Sequence, residues 1–434
     1  MTDILIKNGY VITMNPSREE YPEGDIAIDE GRITKISDDI NQDAEKVIDA
    51  KGKAIIPGLI NAHSHLPMVL LRGFADDLPL KEWLEDKIWP LESGLTEEHV
   101  YNGALLGCLE MIKSGTTCFA DQYFFMDKVA EAVEESGLRA SLSYGIIEQG
   151  DQEKRESEIE KGTELLKDWH GKANDRIMAM YGPHAPYSCS PECLEEIRDQ
   201  GEKHGVGVHT HLSETENEVE EIIDQYGKRP GEHLKDLGIL KSNTLIAHCV
   251  WVNEEEIEII ENTGAKPVHN PVSNMKLGSG AAPVSEMLSR GIPVALGTDG
   301  AASNNSLDML EEIKFAALLQ KLDRRDPTAL PAQSALEMAT INGAKALELE
   351  DEIGSIEIGK KADLILIDLN KPHLTPKHDV VSHLVYSSVG SDVDTVIVDG
   401  KILMEDREPL TLEENNILEK SQEASEDLIS RSED

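Results

Sequence analysis

The chain has 434 residues, 39 % of them hydrophobic and only 4 % aromatic, with 41 Lys and Arg against 83 Asp and Glu and a formal net charge of −42. Length and composition are those of a globular protein with one large domain and a smaller one around an aliphatic core, and they exclude fibrous and disordered classes. The charge argues against nucleic acid and anionic membranes as partners, because both would be repelled.

The amino-terminal MTDILIKNGY lacks a basic region followed by an apolar core, so no leader is expected there. Residues 1–56 then read as short strands with turns: ILIKNGYVITM, DIAIDEGRITKIS around Glu30-Gly31, and KVIDAKGKAIIP. GSIEIGKKADLILIDL and DTVIVDGKILM, within or near residues 361–434, have the same texture. The two termini are therefore expected to pair into one small composite β-sandwich, with an acidic helix over about 411–431 outside it.

Between them, residues 57–360 alternate apolar runs with amphipathic stretches. The runs are AIIPGLINAHSH, GTTCFADQ, LRASLSYG, IMAMYGPHAP, GVGVHTHLS, TLIAHCV, AKPVHNP and IPVALGTD. Segments such as SPECLEEIRDQGEKHG and APVSEMLSRG have the length of crossover helices. Eight strands separated in this way predict an α/β fold, a (β/α)8 TIM barrel, and no glycine-rich dinucleotide fingerprint speaks for an open sheet.

The residues fit for chemistry fall at the ends of these strands, where barrel enzymes assemble their sites. His63 and His65 end the first, His184 the fourth, His209 and His211 the fifth, His248 the sixth, His269 the seventh and Asp299 the eighth. Alternate side chains of a strand share a face, so His63 and His65 can chelate one ion, to which Asp299 adds a hard oxygen. His211 reads either as a core histidine bonded to backbone or as the third imidazole; Glu214, three residues on, then lies near the ion but free to move protons. His184, His248 and His269 read equally as satisfied core residues or as site residues. Trp83 and Trp89 are more often core than ligand contacts, and the long stretch 66–92 after the first strand suggests a lid.

The string PGLINAHSHLPMVLLRGFADDLPLKEWL resembles the amidohydrolase superfamily. Together with WPLE, GPHAPYSCS, HLSETENE, AHCVW, HNPVSNMKLGSG and LGTDGAASNNSLDM it is similar to the 5-methylthioadenosine/S-adenosylhomocysteine deaminases. The resemblance implies one Zn2+ per subunit on His63, His65, His211 and Asp299, with other divalent ions able to use the same atoms. It implies proton transfer by Glu214 and Asp299, polarisation by His248, and substrate contacts from Trp83, Glu92, Arg155, His184 and Glu214. The implied reaction is hydrolytic deamination of 5′-substituted adenosines to inosine analogues and ammonia. The alternatives are 5′-deoxyadenosine or adenosine, or another amino- or chloro-heterocycle such as guanine, cytosine or a triazine. One departure stands out: some members have an arginine at the end of the third strand, where this chain has Tyr144, and both this position and Arg155 bear on the 5′ end of the substrate.

Five cysteines without metal or redox spacing suggest a reduced, cytoplasmic setting. Acids spread along the chain suggest a halophilic surface, since at about 1 M salt the Debye length is roughly 3 Å and self-repulsion is screened. A homo-oligomer is expected to be possible, and no run of about 18 apolar residues suggests a membrane span.

Overall fold

In a computed structural model of the chain, residues 2–78 and 80–432 are described. Five strands come first: β1 (Thr2–Ile12), β2 (Glu20–Asp29), β3 (Arg32–Ser37), β4 (Ala44–Asp49) and β5 (Lys53–Pro57). Eight follow, interspersed with helices: β6 (Leu59–Ser64), β7 (Thr116–Tyr123), β8 (Arg139–Ile146), β9 (Ile177–Pro183), β10 (Val208–Leu212), β11 (Thr244–His248), β12 (Lys266–His269) and β13 (Ala295–Leu296). The last four are β14 (Leu364–Asp368), β15 (Val393–Val398), β16 (Lys401–Glu405) and β17 (Glu408–Pro409).

β6 to β13 lie side by side in chain order, all parallel, and carry the eight apolar runs read from the sequence. Every residue of β6, β7 and β8 is buried, as parallel strands covered on both faces require. A bridge between Ser64 and Asp299 nearly closes the barrel, with the Asp299 amide donating to the His63 carbonyl at 3.0 Å. Gly297 permits this approach: a Cβ there would sit 2.8 Å from the backbone N and O of His63. The crossover helices start and stop on local signals. In Pro191–His204, the Ser190 hydroxyl accepts from the Cys193 amide, proline opens the first turn, and Gly205 ends the helix at φ 70°.

The composite β-structure expected from the two termini is present. Its order is β17-β16-β15-β14-β5-β1-β2-β3, with β4 beside β1, so the strands are continuous in one mixed sheet. β5 is the seam, antiparallel to β14 and parallel to β1. Ile6, Ile26, Ile28, Ile55 and Leu364 share one apolar cluster across it. Arg139, opening β8, makes a paired contact of 2.9 and 3.2 Å with Asp363 just before β14, which fastens the lower end of the barrel to this sheet.

The acidic helix at the carboxyl end, Glu414–Ser432, packs on the outside. It is held to helix Glu97–Ser114 by Lys113 with Glu414 at 2.7 Å and by His99 with Asp427 at 2.8 Å. Its Ser425 hydroxyl donates to the Leu70 carbonyl at 2.7 Å, which steadies the stretch after β6. That stretch is ordered into helical turns: Leu66–Leu71 is wholly buried, and Leu80–Trp83, Leu84–Ile88 and Trp89–Glu92 run on from one another with a wide turn in the middle. Among the described residues no helix is long and apolar enough to cross a membrane. All five cysteines are free and buried.

Candidate active site

Four side chains converge where β6, β10 and β13 end. His65 Nε2 lies 3.2 Å from Asp299 Oδ1 and 3.3 Å from His211 Nε2, and His63 Nε2 lies 3.5 Å from the same Asp299 oxygen. Donors about 2.0–2.1 Å from one tetrahedral ion would be about 3.3 Å apart, so these separations fit a single small divalent cation. Two overlapping triads of potential ligands meet there, His63 with His65 and Asp299, and His63 with His211 and His248.

Hydrogen bonds leave the right atoms free. His65 Nδ1 is 2.6 Å from the Gln122 carbonyl and His211 Nδ1 is 2.7 Å from the His184 carbonyl, so each ring donates there and turns Nε2 inward, and against desolvation Asp299, in the protein alone, holds the His65 pKa up at about 9. His63 Nδ1 lies 2.7 Å from His209 Nε2, while its own Nε2 is buried with no hydrogen-bond partner in the protein. Burial also pushes the pKa of His63 down to about 3, which keeps the ring neutral as a ligand must be. Asp299 is oriented from behind, its Oδ2 accepting from Ser273 Oγ at 2.6 Å and Ser303 Oγ at 2.7 Å. The residues present therefore fit a metal ion.

Strain gathers here as well. Ser213, His248, Cys249 and Asp299 all have positive φ, between 49 and 71°, an arrangement that costs on the order of 1–3 kcal/mol per residue and persists where surrounding contacts impose it. At the ends of β10, β11 and β13 it turns side chains into the mouth of the barrel.

A cavity over the cluster is walled by His65, His211, Glu214, His248 and Asp299 on the metal side. The Glu214 carboxyl is raised above its usual pKa by burial, and its Oε2 is 3.8 Å from His248 Nε2. His248 is held by Asn274, whose Oδ1 is 2.9 Å from Nδ1. Glu218 accepts the amides of Ser213 and Glu214 at 2.8 Å each and so fixes the turn that presents Glu214; burial moves its pKa up to about 7. Across the cavity, Glu92 is half-buried, its pKa raised to about 7 by desolvation against the opposing hydrogen bond from Tyr123, whose hydroxyl donates at 2.7 Å. His184 is in the wall, its pKa pushed down to about 3 by burial and its Nδ1 2.9 Å from Ser188 Oγ. Trp83 and Trp89 are in the same wall.

A model of the Amidohydrolase family matches residues 54–403. The chain belongs to the amidohydrolase family. A 5′-deoxyadenosine deaminase of Methanosarcina mazei is 53 % identical over 431 residues, covering 99 % of both chains. A 5-methylthioadenosine/S-adenosylhomocysteine deaminase of Caldanaerobacter subterraneus subsp. tengcongensis is 50 % identical, over 98 % of this chain and 99 % of the other. The crystal structure of an adenosine deaminase from Xanthomonas campestris with bound zinc is 34 % identical and superposes with a TM-score of 0.95 over 99 % of each chain.

In this amidohydrolase the residues singled out in the sequence mostly meet: His63, His65, His211 and Asp299 at the cluster, and Trp83, Glu92, His184, Glu214 and His248 around the cavity. Arg155 does not. It sits on helix Gln152–Trp169, pairs at 3.5 Å with Glu196 of the next crossover helix, and is absent from the cavity wall. Tyr144 borders an adjoining chamber instead of the catalytic cavity. His269 is buried with both ring nitrogens unpartnered and is also outside the wall. Sequence reasoning named His209 only as a strand-end residue and missed the supporting partners Glu218, Ser273, Asn274 and Ser303. All of these stand within the quoted strings, yet several of their partners lie on other elements.

Proposed function

We propose that the protein deaminates 5′-substituted adenosines hydrolytically, releasing ammonia and the inosine analogue, with one Zn2+ per chain on His63, His65, His211 and Asp299. The observation that carries this reading is one cavity holding a cluster of potential metal ligands, the half-buried acid Glu214 and, opposite, the half-buried carboxyl of Glu92. The relatives' names favour adenosines with altered 5′ ends.

A metal ion held by the four ligands lowers the pKa of water toward about 7 and so makes a nucleophile available at neutral pH. Asp299, held by two serine hydroxyls, accepts the proton of the attacking water. Burial raises the pKa of Glu214 and so favours its acid form, from which it gives a proton to the ring nitrogen beside C6. His248, its Nδ1 held by Asn274, sits beside the incoming oxygen and polarises the group under attack. Proton return to the amino group lets ammonia leave. Glu92 binds ribose hydroxyls, His184 assists from the wall, and Trp83 and Trp89 keep water from the adenine face. Arg155, paired with Glu196, has no part in this scheme.

Beyond the site, we read the charge of −42 as a surface built for high salt in a cytoplasmic protein, without nucleic-acid or membrane partners and open to homo-oligomer formation. The function is tested by ammonia release from 5′-deoxyadenosine, methylthioadenosine, S-adenosylhomocysteine, adenine, guanine, cytosine and a chlorotriazine, in molar KCl with zinc. Turnover confined to the nucleosides supports the reading. Activity on the free bases or the triazine alone refutes it.

A further inference from the structure

Beyond Glu92 the catalytic cavity adjoins a second chamber of about 370 Å³. The two share Trp89, Glu92, Phe124 and Ile147, so a nucleoside whose ribose reaches Glu92 directs its 5′ end into the second chamber. That volume holds far more than a methyl group. Size therefore does little to choose among 5′ substituents, and charge on the chamber wall must do more.

The wall contains Tyr144, Lys154 and Glu158. Glu158 is buried, and its Oε1 is 2.9 Å from the Lys161 ammonium. Lys161 also donates to the Tyr144 hydroxyl at 3.1 Å and lies 5.4 Å from the centre of that ring. This ammonium is thus already committed to a carboxylate and a phenol. Lys154 is exposed, and among the described residues no acid lies within ion-pairing distance of its ammonium. An exposed, mobile cation holds an anion weakly, and salt screens it over roughly 8 Å at physiological strength and roughly 3 Å at 1 M. A buried carboxylate is screened far less.

We propose that Glu158, held by Lys161 and Tyr144, sets the 5′ specificity of the site: the chamber accepts neutral and cationic 5′ substituents and rejects those that end in a carboxylate. The proposal rests on the nucleoside reading above and names the substrate class within it. A substituent ending in an amino-acid zwitterion falls between the two extremes.

Three 5′-thioether adenosines of similar length test it: butylthio, 3-aminopropylthio and 2-carboxyethylthio. For the unmodified protein in molar KCl, kcat/KM for the carboxylate falls roughly tenfold or more below the neutral compound, mostly through KM, and the ammonium compound equals or exceeds it. Glu158→Gln narrows the carboxylate penalty severalfold and removes any ammonium advantage. Lys161→Gln, which leaves Glu158 uncompensated, widens the penalty. Each comparison is a ratio within one protein, so a loss of folded fraction cancels. Equal use of carboxylate and neutral compounds, or a ranking that neither variant moves, overturns the proposal. So does a Lys154→Gln variant that specifically loses the carboxylate compound, because Lys154 would then be its anchor. Silence on all three nucleosides overturns the nucleoside reading itself, and the proposal with it.

Discussion

At the lower end of the barrel, Arg139 and Asp363 bury opposite charges against each other in a two-point contact, and Asp363 also accepts the Asp399 amide at 2.7 Å. At the upper end, buried polar atoms of the histidine cluster are left without protein partners, His63 Nε2 among them. Both regions bury charge and both join distant parts of the chain. The Arg139–Asp363 contact is satisfied by the protein alone and serves the fold, while the histidine and carboxylate atoms of the upper end are the ones the proposed function assigns to a bound ion.

That contrast can be broken with single substitutions. On the proposed assignment Asp299→Ala removes a ligand and the proton acceptor together, so kcat/KM should fall by roughly 10⁴-fold or more, with metal per chain dropping in parallel by elemental analysis. Glu214→Gln separates the two properties: metal content stays at the unmodified level while turnover drops by about 10²–10⁴-fold. Near-normal rates in that variant would remove Glu214 from the mechanism.

Arg139→Met is the opposite case. Leaving Asp363 buried and unpaired should cost about 3–5 kcal/mol of stability by denaturant unfolding, with kcat of the folded protein unchanged. Gly297→Ala stands between the regions, because its Cβ would press on the backbone of His63, which cannot give way as a side chain can. It should cost roughly 1–3 kcal/mol and lower metal affinity as well, whereas a loss of stability with full metal affinity would show that strand closure does not set the ligand geometry. The smallest and most diffuse effect is that of salt: the melting temperature should rise between about 0.1 and 2 M KCl, and a flat profile would remove the halophilic reading.

How much of this could be read beforehand follows from the range of each interaction. The barrel strands were legible because parallel strands buried on both faces carry apolar residues throughout with only small or site-directed polar ones, as in Leu59–Ser64, and because amphipathic stretches separate them. The convergence of the proposed ligands was legible for a related reason: His63, His65, His211 and Asp299 stand at or just beyond strand ends, and the barrel carries every strand end to one mouth. Their supports were not. His209 to His63, Ser273 to Asp299 and Glu92 to Tyr123 are contacts between separate elements, and Ser303, only four residues after Asp299, depends on the turn that follows it. Arg155 failed for the converse reason. Its place next to helical residues said nothing about which way the helix face turns, and that face meets Glu196. The composite sheet was foreseen from texture at both termini, but its continuity through β5 depends on a pairing with β14 that no local pattern encodes.

The central claim is that the His63, His65, His211 and Asp299 cluster binds the ion on which hydrolysis depends. The most direct test is to strip the protein with a chelator in molar KCl, titrate zinc back, and follow ammonia release from a 5′-substituted adenosine against bound metal. Activity should rise linearly to a plateau at one ion per chain, and Asp299→Ala should show neither the tight binding nor the rise. Full turnover by the metal-free protein, or binding at one ion per chain that Asp299→Ala leaves intact, would contradict the account.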